Sequence, residues 1–287
     1  GAGTLGLLIP PSIIMIVYGV TADVSIAQLF IAGVLPGILL ALLFSGYLVY
    51  WALRHPELVP PPDPPMSFAA KLRESRYLLP VVGLIVAVLG SIYSGIATAT
   101  EAAAVGVLGA LVISAAQGSM SWQTFKESLL GGTRLYCMIA MILAGAAFLT
   151  LSMGYIGLPR HLAEWIATLG LSQLQLLLVL MVFYVVLGCF LDGISMVVLT
   201  MGVILPTIQK AGIDPLWFGI FVVLVVEMAQ ITPPVGFNLF VLQGMTGRQL
   251  PWIAKVTLPM FLLMCVAVAL IYVFPGIVSW LPQQMSG

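Results

Sequence analysis

The strongest constraint on this chain is a proline pair set into an apolar, helix-like stretch, and it occurs twice. The first is Gly3-Thr4-Leu5-Gly6-Leu7-Leu8-Ile9-Pro10-Pro11-Ser12, continued by Ile13 to Tyr18. The second is Glu227-Met228-Ala229-Gln230-Ile231-Thr232-Pro233-Pro234-Val235-Gly236, continued by Phe237 to Leu242. A Leu-Pro step follows each at the same distance. Pro36 stands 26 residues after Pro10 and Pro259 stands 26 after Pro233, so one unit recurs 223 residues along the chain. Proline removes a backbone donor and its ring collides with the preceding turn, so each pair breaks its helix. In lipid the freed backbone groups must be met by protein, water or an ion. Matching interruptions in corresponding halves of a membrane chain point to a solute-binding site.

The membrane setting follows from composition. Of 287 residues, 61% are hydrophobic and 7% charged, with mean hydropathy +1.17, whereas a soluble domain carries about 25% charged residues. Apolar runs cover Ile26–Leu53, Leu78–Tyr93, Ala102–Ala116, Cys137–Met153, Leu174–Leu191, Leu216–Val226 and Val256–Phe274, and about 20 such residues cross the hydrocarbon core. The expected fold class is all-α integral membrane. Net charge is zero, with no basic patch for nucleic acid. Cys137, Cys189 and Cys265 lie far apart inside apolar runs and read as small core residues without disulfide or metal spacing. No Ser/His/Asp set, Cys/His cluster or phosphate-cradling glycine loop is present, so nothing supports an enzyme. No nucleotide motif is present either, so transport would draw on an ion gradient.

Lys and Arg distribution sets orientation, because cytoplasmic loops carry the excess. Arg54, Lys71, Arg73, Arg76, Lys126, Arg134, Arg248 and Lys255 fall on one side of an alternating count, and Arg160 and Lys210 on the other. This places the segment 54–77 in the cytoplasm and the C-terminus outside. Pro60-Pro61-Pro62-Asp63-Pro64-Pro65 reads as an extended spacer. Residues 1–53 form the end of a first repeat and 78–287 a second. All six Trp (Trp51, Trp122, Trp165, Trp217, Trp252, Trp280) stand near span ends, as an interfacial aromatic belt would. The alternation requires 174–208 to enter and leave on one face. Its middle, Gly188-Cys189-Phe190-Leu191-Asp192-Gly193-Ile194-Ser195, is the tip of a re-entrant hairpin. Asp214 with Pro215 opens the next helix, and a broken helix covers about 214–245. The chain opens on Gly1, inside a motif, with neither Met nor signal peptide; the expectation is a fragment or a chain cut from a longer one.

At the second break, carbonyls of Gln230 and its neighbours and the Thr232 hydroxyl are hard oxygens suited to a small cation. The half-helix that starts after Pro233-Pro234 and Gly236 presents N–H groups and a positive dipole end to an anion. Asn238 lies in its first turn and adds an amide. The bland alternative is a simple proline kink, which the repeated pair at matched spacing disfavours. Asp192 is either an ion ligand or a helix cap that accepts the Ser195 N–H or its neighbour's. Glu227 is either a proton or cation site or a structural carboxylate bonded to backbone at the break. Thr98, Thr100 and Glu101 read as capping. Arg134 and Arg160 snorkel, and Pro159–Leu169, with His161, reads as an interfacial arm.

Gly3–Tyr18, Tyr93–Gly106, Leu187–Pro206 and Gly212–Gly236 with its Thr-Pro-Pro-Val-Gly ending together resemble one family. It is the large membrane subunit (M, or DctM type) of tripartite ATP-independent periplasmic (TRAP) transporters, and the resemblance runs end to end. One departure is Thr98-Ala99-Thr100-Glu101 where the family pattern has Thr-Pro-Thr-Glu. The resemblance implies an inverted-repeat, elevator-type fold with re-entrant hairpins and broken helices. Here the first repeat is incomplete, its hairpin absent. It implies Na⁺-coupled symport of a small organic acid across the bacterial inner membrane, with no cofactor beyond Na⁺. It also implies a small membrane Q subunit and a periplasmic substrate-binding protein as partners. By position, the ion and substrate candidates are Thr4, Gly6, Pro10 and Pro11; Gly188, Asp192, Gly193 and Ser195; and Gln230, Thr232, Pro233, Pro234, Gly236 and Asn238. Gly188, Ser195, Gln230 and Thr232 are the Na⁺ candidates among them. Two other readings are a stand-alone Na⁺/carboxylate carrier and a membrane scaffold subunit that transports nothing.

Overall fold

The computed structural model describes residues 2–59, 67–76, 78–233 and 236–285; the polyproline stretch 60–65 lies outside them. Among the described residues all regular structure is helical. The helices are α1 (Ala2–Leu8), α2 (Ile13–Ala22), α3 (Ile26–Arg54), α4 (Phe68–Ser75), α5 (Leu79–Tyr93), α6 (Ala99–Ala116), α7 (Trp122–Ile156), α8 (Leu158–Thr168), α9 (Gln173–Leu187), α10 (Gly193–Lys210), α11 (Pro215–Gln230), α12 (Phe237–Thr246), α13 (Leu250–Val273) and α14 (Gly276–Met285). Six segments are long and apolar enough to cross a membrane. They are Leu5–Ala22, counted through its break, Ile26–Arg54, Ala99–Ala116, Trp122–Ile156, Gly193–Lys210 and Leu250–Val273. The all-α membrane class expected from composition therefore holds. One run underestimates its helix: Cys137–Met153 is only the apolar part of the 35-residue α7. The helix starts at Trp122 because Gln123, Lys126 and Glu127 are polar yet good helix formers.

The sequence repeat is also a repeat of elements. Ile13 to Phe237, Asp23 to Gly247 and Ile26 to Leu250 are each a step of 224 residues. Both α2 and α12 are ten residues long and end on a left-handed residue, Asp23 (φ 55°) and Gly247 (φ 66°). Each then leads into a long helix with one interior proline near its first third, Pro36 in α3 and Pro259 in α13.

The chain divides into two compact units, Gly1–Phe44 with Cys137–Gly287, and Ser45–Tyr136. In the second unit α5 packs on α6. Gly106 and Gly109 give room to Val88 and Leu84 on the facing helix. Of the two threonines read as capping, Thr98 is the cap, and Glu101 reciprocates it: the Thr98 N–H donates to Glu101 Oε2 at 2.8 Å and the Glu101 N–H to Thr98 Oγ1 at 3.3 Å. Val81, Val82, Val107 and Leu108 are exposed on this unit, the pattern of a lipid-facing pair.

In the first unit the core is α11. Trp217 through Ala229 are buried without interruption, and a helix that is apolar all round belongs in an interior. It packs against α1, α2, α9, α10, α12, α13 and α14. Asp214 caps it as expected, Oδ1 accepting the Leu216 N–H at 3.0 Å, with Pro215 at the first helical position. The Tyr18 hydroxyl of α2 donates to the Pro215 carbonyl at 2.6 Å. Gly219 admits the Tyr18 ring and Leu29, either of which would lie under 3 Å from a Cβ there. Trp217 departs from the expected belt. It is only 7% exposed, stacks on Phe221 and donates from Nε1 to the Ile271 carbonyl of α13 at 3.2 Å. Proximity to a span end is therefore not interfacial exposure when the span is central. On α8, Arg160 Nε donates to Glu164 Oε1 at 2.9 Å, which holds the Glu164 carboxyl below the ordinary carboxylate range. Arg160, one of the two arginines expected to snorkel, is half of an i,i+4 pair.

Candidate functional site

The first break separates α1 from α2. Ile9 N–H still reaches the Leu5 carbonyl at 2.8 Å, but Pro10 and Pro11 have no N–H for Gly6 and Leu7. Leu7 finds a substitute, because the Ser12 hydroxyl donates to its carbonyl at 2.5 Å. The same oxygen accepts the Met15 N–H at 3.4 Å and so caps α2. The Gly6 carbonyl faces proline at both the fourth and fifth positions ahead. Pro10 is buried; Gly6 and Pro11 are exposed. Thr4 lies within α1. A Cβ on Gly33 of α3 would sit 2.8 Å from the Leu8 carbonyl, so that glycine is what lets the break lie against α3.

The second break follows α11. Thr232 N–H turns back to the Ala229 carbonyl at 3.2 Å, replacing the donor that Pro233 lacks. The Gln230 carbonyl has proline three and four residues ahead, so no helical donor reaches it. Pro234 lies outside the described residues, and Pro233 is exposed. Gly236 N–H donates to the Thr232 carbonyl at 3.0 Å. A Cβ on Gly236 would stand 2.7 Å from the Gln230 oxygen and 2.8 Å from the Thr232 oxygen. Two carbonyls therefore border one glycine, an approach no larger residue permits. The Thr232 hydroxyl donates to the Met228 carbonyl at 2.7 Å, which leaves its lone pairs free to accept or ligate. Gly236 brings no side-chain cap to α12, whereas α2 and α10 are capped by Ser12 and Asp192. The α12 N-terminus is the one of the three with no side chain of its own on its first N–H groups. Asn238, half-buried, sits in that first turn.

The turn between α9 and α10 docks on the second break. Gly188 is buried against Ala229, and a Cβ on Gly193 would lie 2.7 Å from Val226 Cγ1, 2.9 Å from Gln230 Nε2 and 2.9 Å from Ile14 Cδ1. The turn, the end of α11 and the start of α2 thus meet at Gly193. Cys189 Sγ donates to the Pro233 carbonyl at 3.3 Å. Asp192 is exposed, and its carboxylate is occupied by the first turn of α10. Oδ2 accepts the Ile194 N–H at 3.1 Å and the Ser195 N–H at 3.2 Å, while the Ser195 hydroxyl bonds Oδ1. Of the two readings for Asp192, the geometry is that of the cap.

Glu227 takes the other course. It is 0% exposed; neither carboxyl oxygen has a partner in ordinary hydrogen-bond geometry, while the Leu8 backbone of α1, beside the first break, lies near enough to act on it. Sequence reading missed Ser12 and Cys189 as parts of the site. A Ser immediately before an apolar run is a helix-start signal, so Ser12 was findable. Nothing in the sequence pairs Cys189 with a residue 44 positions away.

Chemically, a Gln230 carbonyl without a helical donor and the Thr232 hydroxyl are oxygens of the kind that suits a small cation, and the uncapped N–H groups that open α12 are of the kind that suits an anion.

Residues 1–277 match the model of the "Tripartite ATP-independent periplasmic transporter, DctM component". The chain is 36% identical to the C4-dicarboxylate TRAP transporter large permease protein DctM of Pseudomonas aeruginosa, over 99% of this chain and 66% of that one. It is 35% identical to the ectoine/5-hydroxyectoine large permease UehC of Ruegeria pomeroyi, over 98% of this chain and 65% of that one. It is 31% identical to the isethionate permease DctMQ of Oleidesulfovibrio alaskensis, over 96% of this chain and 43% of that one. The chain spans about two thirds of the length of the first two and less than half of the third.

Proposed function

Because the chain belongs to the DctM component family of tripartite ATP-independent periplasmic transporters, we propose that it forms part of a large permease subunit that moves a small organic acid together with Na⁺ across the bacterial inner membrane. The observation that carries this reading is the convergence at the second break. There, the Gln230 and Thr232 carbonyls border Gly236, the Thr232 hydroxyl lies one step away, and the uncapped start of α12 follows directly. A cation at these oxygens and an acid group at the α12 N–H groups would neutralise each other, so binding of each favours the other. The relatives' named solutes, C4-dicarboxylate, ectoine and isethionate, are small and carry an acidic group, which fits such a seat.

In this reading α9, the 188–192 turn, α10 and the α11–α12 pair form the solute-carrying part, and α3 and α13 contribute to the frame it moves against. A small membrane Q subunit and a periplasmic binding protein complete the system, and the C-terminus faces the periplasm. The test is uptake of radiolabelled acid by the full-length complex in liposomes, with and without an inward Na⁺ gradient. Gradient-dependent uptake is expected; equal uptake in both rejects Na⁺ coupling.

A further inference from the structure

Glu227 is the one fully buried acidic side chain among the described residues, and both of its oxygens lack a partner. It lies three residues before Gln230 and one turn from the second break, on the face of α11 that meets the Leu8 backbone of α1. An ionised carboxylate taken out of water costs several kcal/mol unless a cation or several donors meet it. The surroundings supply neither. The described residues of α1, α2, α9, α12 and α14 contain no Lys, Arg or His. Lys210 is the last residue of α10, and Lys255 lies near the start of α13. The phenols on neighbouring helices are committed elsewhere: Tyr18 donates to Pro215 at the opposite end of α11, and Tyr184 pairs with Thr200 at 2.7 Å. On α13, Cys265 and Tyr272 line the cleft beside Trp217 and Phe221, well up the helix from the break.

We propose that Glu227 is a proton-binding site of the transport machinery, neutral in this packing and exchanging its proton with water when the two breaks part. This rests on the reading of the breaks as the moving, solute-binding region. The step makes and breaks one O–H bond. The proton leaves a Glu227 carboxyl oxygen for water on the side to which the site opens, and is regained from water on the other. The sequence alone left this residue between two roles. Its full burial, with neither oxygen in ordinary hydrogen-bond geometry, favours the one in which it titrates during the cycle.

The test needs no substrate. Infrared spectra of the purified full-length protein in lipid are compared for wild type and E227Q at neutral pH, then after transfer to D2O. The expected result is a protonated-carboxyl C=O band in wild type that is missing from E227Q and shifts in D2O while the protein stays folded. Identical spectra in that region overturn the proposal, because Glu227 is then ionised. A band that shifts only on unfolding overturns it too, because the acid is then a static part of the core. Should E227Q fail to fold, E227D displaces the band, and the D2O shift is read on wild type alone. Loss of Na⁺ dependence in uptake would sink the coupling reading and leave this band unaffected; a missing band would leave Na⁺ coupling standing.

Discussion

Ser12→Ala tests whether a side chain has replaced the donor that Pro11 lacks. Ser12 is 1% exposed and serves two groups, the Leu7 carbonyl at 2.5 Å and the Met15 N–H at 3.4 Å. Removing a helix N-cap costs about 1 kcal/mol. Stranding a partly buried carbonyl costs about 1 kcal/mol more, the low end of the range for an unsatisfied acceptor. The total, about 2 kcal/mol, is roughly a 30-fold change in the unfolding equilibrium. Pro11→Ala restores an N–H at the position from which a helix would serve Leu7. In that background Ser12→Ala should cost only the cap, about 1 kcal/mol. The two substitutions are then coupled by about 1 kcal/mol, beyond the ~0.3–0.5 kcal/mol scatter of independent sites. The assay is a double-mutant cycle in detergent, read by denaturant titration of the full-length protein. Additive effects, or a Ser12→Ala cost indistinguishable from zero, would refute the substitution of hydroxyl for amide.

Four further outcomes are expected. Thr232→Val keeps the fold and loses Na⁺ activation of uptake; unchanged Na⁺ activation removes the Thr232 hydroxyl from the ligand set. Gly193→Ala pushes a methyl group against Val226, Gln230 and Ile14 on two other helices and should cost about 1–3 kcal/mol as overpacking; a melting temperature equal to wild type would show that the turn does not dock there. Tyr18→Phe loses one hydrogen bond to Pro215, worth about 1 kcal/mol, and a thermal shift assay should show a modest loss. Glu164 has its carboxyl lowered by Arg160, so that pair's contribution is present above the ordinary carboxylate pKa and fades as pH falls through the lowered one. Because the pair is solvent-exposed, Glu164→Gln should melt with wild type at neutral pH, and a clear drop would show that the arm helix depends on it.

How much of this was legible in advance depends on the range of the interaction. The helix starts at Thr98 and Asp214 and the interruptions at Pro10-Pro11 and Pro233-Pro234 are set by neighbours within four residues, so the sequence displays them. The repeat was visible as a spacing between prolines, and the structure extends it to helix lengths and left-handed ends. The burial of Trp217 was not visible, because its placement near a span end reads the same whether that span faces lipid or protein. Nor was the isolation of Glu227: whether a carboxyl finds a partner is settled by the seven helices packed on α11, most of them distant from it in the chain. The docking of Gly193 and Cys189 on α11 belongs to the same class, a long-range fit that small residues permit but do not announce.

The thiol of Cys189 bonded to Pro233, with Gly188 and Gly193 seated directly on α11, ties the turn to the end of α11. In the carrier proposed above, that fastening would make the two shift as one piece, so any entry for the solute would lie on the side facing away from their seam.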